Sequence, residues 1–294
     1  MIYDIRHLTI YDYTLPVAYS HCSLRLLPAS GPGQKLLDSS LAITPTPAEM
    51  VERASFFGNR VTAITVKVPH RVLRLDARSS LDVDRAPPPS APATPAWEKV
   101  REAAFGTQDM HAASPAHFLF PSRFVPKFPP AMGYAIQSFG RGRPVLEGAA
   151  ELMRRIRADF RYDPKSTLVS TPLSEAFVNR RGVCQDFAHI MIAGLREIGL
   201  PAAYVSGYLR TIPPPGKPRL EGADASHAWV LLWCGARDGW VGLDPTNASL
   251  ISNDHIVLAR GRDYADISPV SGIVLGSGEQ DVEVKVDVVP RPAA

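Results

Sequence analysis

Three residues of this chain could together activate a thiol: Cys184, His227 and Asp244. Cys184 follows Gly182 and Val183 where a helical pattern begins. His227 lies in an apolar strand pattern, Ser226-His227-Ala228-Trp229, and Asp244 ends the next strand pattern before Pro245. A thiol attacks as its thiolate, and a helix N-terminus and a nearby imidazole both favour that form. A carboxylate beside the imidazole fixes its tautomer and stabilises the imidazolium. The N–H of Cys184, unpaired at a helix start, could donate to the oxyanion of a tetrahedral intermediate. The pattern points to covalent acyl chemistry, with nucleophile, base and orienting acid on successive elements.

Each residue also has a plain structural reading. Free cysteine is often a small core residue, histidine can be a satisfied interior group, and Asp before Pro is a common turn residue. The elements that carry them favour the chemical reading. In the helix predicted over 184–198, Phe187, Ala188, Met191, Leu195 and Ile198 fall within about 60° of Cys184 at 100° per residue. The sulfur therefore faces the body of the protein. Asp186, His189, Arg196 and Glu197 fall on the opposite face, so His189 points away from the sulfur. A zinc site built from Cys184 and His189 is disfavoured, because their side chains diverge by about 140°.

The strands are equally specific. His227, Trp229, Leu231 and Trp233 share one face, and Trp240, Gly242 and Asp244 share one face of the next strand. Apolar residues on both faces predict a sheet covered on both sides. The loop Gly235 to Asp238 predicts a hairpin pairing Cys234 with Gly239 and Trp229 with Asp244, which makes His227 and Asp244 diagonal neighbours on one face. A slip of one residue would separate them.

The rest of the chain is read by pattern. Residues 1–85 read as an antiparallel β-sandwich-like domain, with Gly58-Asn59 as a turn. His7, His21 and His70, with no partner at ligand spacing, read as structural. Residues 86–143 begin with a Pro-rich linker and continue as a short helix, Trp97 to Phe105, and irregular chain packed on a surface. A core over 144–248 opens with an amphipathic helix from Val145 to Phe160. Residues 211–225 form a Pro/Gly loop, a candidate flap. Residues 249–294 read as a β extension of the core, with Val282, Val284, Val286 and Val288 alternating in a strand with one wet face.

Bulk properties limit the alternatives. The chain has 294 residues, 45% hydrophobic and 21% charged, and a formal net charge of +3. That composition suits a globular protein and is too mildly basic to suggest nucleic acid. No apolar run is long enough for a membrane span, and no leader pattern is visible at the N-terminus. Three cysteines in a chain this long fit a reducing cytoplasm better than a disulfide framework.

Several segments together resemble bacterial transglutaminase-like proteins: Arg181-Gly182-Val183-Cys184-Gln185-Asp186-Phe187-Ala188-His189, Tyr204-Val205-Ser206-Gly207-Tyr208, Ala225-Ser226-His227-Ala228-Trp229 and Gly239-Trp240-Val241-Gly242-Leu243-Asp244-Pro245-Thr246-Asn247. Asp254-His255, Gly261-Arg262-Asp263-Tyr264 and the β-rich N-terminal domain are similar to the same group. The resemblance implies an α+β fold with a papain-like core, in which Cys184 is nucleophile, His227 general base and acid, and Asp244 orienter. It implies no cofactor or metal, and no Asp-rich calcium loop is seen. It leaves the reaction open: amide-bond hydrolysis, amine-dependent acyl transfer, or a non-catalytic peptide-binding module. The expected partner is a peptide or protein, with Tyr204 or Tyr208 as candidate second oxyanion donors.

Overall fold

The structure, a computed structural model, describes residues 1–211 and 225–291. Six strands open the chain: β1 (Ile2–Val17), β2 (Tyr19–Leu24), β3 (Gln34–Thr44), β4 (Glu49–Ala54), β5 (Arg60–Val66) and β6 (His70–Val83). Their alternation buries one face of each main strand. Tyr13, Val17, Leu24, Ile64, Val66, Leu73 and Leu75 meet in a common core between two sheets, as the sandwich reading requires.

Residues 86–143 are more structured than a linker. They contain α1 (Trp97–Phe105) and α2 (Pro129–Ala135). Trp97, Val100, Leu119, Val125 and Tyr134 are buried in the same core as the elements that follow them. Those are α3 (Val145–Asp159), β7 (Arg161–Tyr162), α4 (Leu173–Asn179), β8 (Arg181–Gly182) and α5 (Cys184–Glu197). Next come β9 (Ala202–Leu209), β10 (Ala225–Trp233), β11 (Trp240–Asp244), β12 (Ser249–Leu250) and β13 (His255–Gly261). These last five make an antiparallel sheet in the order β12-β11-β10-β9-β13, with α5 packed against Tyr204, Val230 and Leu232.

One expectation about α5 needs correction. The face opposite Cys184, which carries His189, is not solvated: every residue from Gln185 to Arg196 is buried. The irregular chain around 120–128 covers that face. The Arg196 guanidinium donates to the carbonyls of Phe120, Ala202 and Arg262, and the Phe128 N–H donates to the Glu197 carboxylate at 2.7 Å. A helix can bury polar side chains when each finds backbone partners.

The C-terminal segment also departs from expectation. Its β12 and β13 extend the core sheet, but beyond α6 (Tyr264–Ile267) the chain returns to the N-terminal domain. There β14 (Val270–Leu275) pairs with β2, and β15 (Gln280–Pro290) pairs with β1. The two sheets of the sandwich are thus β15-β1-β6-β3 and β14-β2-β5-β4. Val286 and Val288 are buried there beside Tyr3 and Ile5, while Val282 and Val284 stay exposed.

Sandwich and core are fused rather than tethered. Tyr3, Ile5, Leu81 and Val83 pack on Tyr208, Ile256 and Leu258, covering the second face of the core sheet. The free edge of β13 is closed by two amide side chains. Gln34 donates to the Val257 carbonyl and accepts from its N–H, both at 2.9 Å. Asn59 does the same for Arg260, both at 2.8 Å. Each amide replaces a missing strand neighbour, which removes the pairing hazard of an open edge.

Candidate active site

The chain reaches Cys184 through a fixed turn. After α4, Arg180 takes a left-handed conformation, φ 53°, and its guanidinium lies 4.5 to 5.1 Å from the ring centres of Phe160, Phe177 and Tyr134. These cation–π contacts hold an otherwise costly backbone. The Asp186 carboxylate then curls back, accepting from the Val183 N–H at 2.8 Å and the Thr167 hydroxyl at 2.7 Å. A side chain at Gly182 would meet that carboxyl at 2.6 Å, so glycine is required there. Burial pushes the Asp186 carboxyl up, against the bonds from Thr167 and Val183. The result is a rigid helix start with Cys184 half-buried; Cys22 and Cys234 are buried. Burial raises the Cys22 thiol and pushes the Cys234 thiol up to about 12.

The hairpin has the predicted register. Leu231 pairs with Gly242 and Trp233 with Trp240, and the Cys234 N–H donates to the Gly239 carbonyl at 2.8 Å. His227 and Asp244 fall on one face, and His227 Nε2 lies 2.8 Å from Asp244 Oδ2. His227 is 7% exposed and Asp244 fully buried. Burial alone pulls the His227 imidazole down, but Asp244 and Cys184 more than offset it, leaving the imidazole raised to about 10. Burial would raise the Asp244 carboxyl; its bonds to His227, His255 and Asn247 hold it well below the usual carboxylate range. Opposite His227 in the sheet is Gly207. A side chain there would meet the Ile256 carbonyl at 2.0 Å and the Trp229 ring at 2.5 Å, so glycine lets Trp229 lie across the strand beside His227.

Two members of this cluster were missed as functional groups from sequence. A buried carboxylate costs several kcal/mol unless its lone pairs are satisfied. Asp244 Oδ1 accepts from the backbone N–H groups of Thr246 and Asn247 at 2.9 and 3.2 Å. Its Oδ2 accepts from Asn247 Nδ2 at 2.7 Å and lies 3.3 Å from His255 Nε2. The turn Asp-Pro-Thr-Asn is a local signal for the first set. Asp254-His255 stands out only as part of the resemblance; no local pattern places His255 beside Asp244, because it arrives on β13 from across the sheet. Donor atoms of His227, Asp244 and His255 lie within 4.8 Å of one another, a spacing that could admit a metal ion. Both imidazoles instead address the same carboxylate oxygen at hydrogen-bond distance.

Other candidates separate clearly. His189 is buried beside Tyr204 of β9, its ring stacked on Phe124 and tilted against Tyr204, and its Nε2 accepts from the Tyr264 N–H at 3.3 Å. It joins none of Cys184, His227 and Asp244. The Tyr208 hydroxyl is bonded to His7 Nδ1 at 2.8 Å in the sandwich interface, which excludes it as an oxyanion donor. Tyr204 stays on the α5 side, with Cys184 among the groups acting on its hydroxyl. The candidate flap at 211–225 lies, except for its ends, outside the described residues. Among the described residues, no helix is long and apolar enough to cross a membrane.

Comparison with known proteins supports this architecture. A model of the bacterial transglutaminase-like N-terminal region matches residues 3–82, and one of the transglutaminase-like superfamily matches residues 134–245. An uncharacterised Mycobacterium tuberculosis protein is 41% identical over 295 residues, spanning 98% of this chain and 92% of the relative. A protein-glutamine gamma-glutamyltransferase from Pseudomonas aeruginosa is 33% identical over 124 residues, 36% of this chain and 18% of that enzyme. A solved structure described as a "putative cysteine protease" from Cytophaga hutchinsonii superposes with a TM-score of 0.75 at 22% identity, covering 100% of this chain and 92% of that one. At that identity the likeness speaks for the fold alone.

Proposed function

The chain belongs to the transglutaminase-like superfamily, and we propose that within it the protein is a cysteine-dependent hydrolase of peptide or isopeptide amide bonds. The observation that carries this reading is the buried 2.8 Å bond from Asp244 to an imidazole that Cys184 also acts on. An imidazole set between a buried carboxylate and a thiol is placed to take the thiol proton as Cys184 attacks.

In this reading Cys184 Sγ attacks the amide carbon, forming a C–S bond while the carbonyl electrons move onto oxygen. The Cys184 N–H at the start of α5 donates to that oxyanion. His227 gives its proton to the leaving amine as the C–N bond breaks, and a thioester remains on Cys184. His227 then takes a proton from water, which attacks the thioester; the acid leaves and the thiol is restored. Asp244 keeps the ring oriented and compensates its charge throughout. The partner is a peptide or protein chain, and three free cysteines favour a reducing cytoplasm as the setting of the reaction.

A second reading is acyl transfer to an amine, favoured by the name of the glutamyltransferase relative. It differs only in the group that attacks the thioester. Incubation with a peptide library and subsequent mass spectrometry tests both. An acyl adduct on Cys184, lost in Cys184→Ala together with turnover by about 10⁴-fold, supports the triad. Unchanged turnover in Cys184→Ala sinks it. Added primary amine that diverts product from acid to amide would favour the second reading.

A further inference from the structure

His255 occupies an unusual place in this cluster. It is 4% exposed, and its ring meets Trp229 edge-on at 5.4 Å. Its Nδ1 accepts the backbone N–H of Ser252 at 3.2 Å, so that nitrogen carries no proton. In the neutral ring the proton then sits on Nε2, which lies 3.3 Å from Asp244 Oδ2. His255 is therefore a donor to the same oxygen that holds His227. The groups facing this oxygen and the two rings are Cys184 from α5, Asp244 with Asn247, and His255 from β13.

The turn that delivers His255 is held by the N-terminal domain. Arg85 donates to the Ser252 and His255 carbonyls at 3.2 and 2.6 Å, and its N–H donates to the Asn253 side chain at 3.0 Å. The Tyr3 hydroxyl donates to Asp254 at 2.9 Å, and Arg210 adds a salt bridge to the same carboxylate at 3.2 Å. With Gln34 and Asn59 on the edge of β13, the sandwich fixes both ends of the strand that carries this histidine.

We propose that His255 is a positioning residue for the site: it donates to Asp244 Oδ2, limits how tightly that carboxylate holds the His227 proton, and is itself set in place by the N-terminal domain. The physical reason is sharing. A carboxylate oxygen that accepts an added donor is a weaker base toward the others. His227 must give its proton to a leaving amine, so an over-strong Asp244 would slow that step. The proposal deepens the hydrolase reading and rests on it for its effect on turnover, but its effect on His227 does not depend on any substrate.

The test compares His255→Asn with His255→Gln in the full chain. Both are polar amides, but only Gln reaches Asp244 with an N–H; Asn stops at the Ser252 end. The readout is the ¹⁵N titration of His227, with near-UV circular dichroism to confirm the fold. In His255→Asn, His227 should titrate about one pH unit higher, a tenfold change, while His255→Gln returns it to the native midpoint. A His227 midpoint unmoved or lowered in folded His255→Asn overturns the proposal. If His255→Asn does not fold, His255→Gln decides alone: a midpoint different from the native one overturns it, and an equal midpoint supports it. Absence of any acyl adduct on Cys184, with the His227 shift as expected, would reject the hydrolase reading and leave the role of His255 intact.

Discussion

Two polar clusters are buried against the same helix, and they treat histidine in opposite ways. His227 and His189 are similarly inaccessible, 7% and 4% exposed. Burial lowers His189 to about 4, whereas His227 is raised to about 10 despite burial. The difference lies in what each ring addresses. His189 Nε2 accepts a backbone N–H from Tyr264 and sits between aromatic rings, an arrangement that needs the neutral form. His227 Nε2 faces a carboxylate with no other way to balance its charge than the donors packed around it. Burial sets the default and the bonded partner sets the sign. One cluster staples the 120–128 segment and the 262–264 turn to α5; the other keeps a proton ready beside a thiol.

The sharpest way to break this contrast is Asp244→Asn, which should turn His227 into a second His189. With the carboxylate gone, burial takes over and the imidazole becomes neutral. Turnover of a trapped amide substrate should fall by about 10³- to 10⁴-fold with the fold intact. Retained turnover would mean that Asp244 only shapes the turn before Asn247.

A smaller effect separates the clusters by stability. His189 and His7 are both depressed to about 4, so the unfolded chain takes up protons first as pH falls. Their contribution is complete above 6.5 and is lost as pH falls toward 4, on the order of 3 kcal/mol each. His227 is raised, so its contribution is complete below 6.5 and is lost as pH rises toward 10. Stability measured by urea unfolding should peak between these limits. His189→Phe should flatten the acid limb and Asp244→Asn the alkaline limb. A single variant flattening both would contradict the separation.

Much of the site was legible in the sequence because its geometry is local. An even hairpin loop fixes the register that joins His227 to Asp244, and a glycine before a helix start places Cys184. The sandwich was legible from strand alternation. What escaped depended on chain that returns from far away. His255 reaches Asp244 because β13 pairs with β9 rather than with β12, an order no local pattern encodes. The outer face of α5 looked solvated because the 120–128 segment that covers it has no periodicity. The strands β14 and β15 looked like an extension of the core because a valine alternation does not say which sheet it joins.

The central claim is that His227 keeps the Cys184 thiol reactive. It needs no substrate to test, because Cys184 is half-buried while the other two cysteines are buried. Iodoacetamide alkylation at pH 6, mapped by mass spectrometry, should modify Cys184 at least about tenfold faster in the native protein than in His227→Ala. Equal rates in the two proteins would contradict the account.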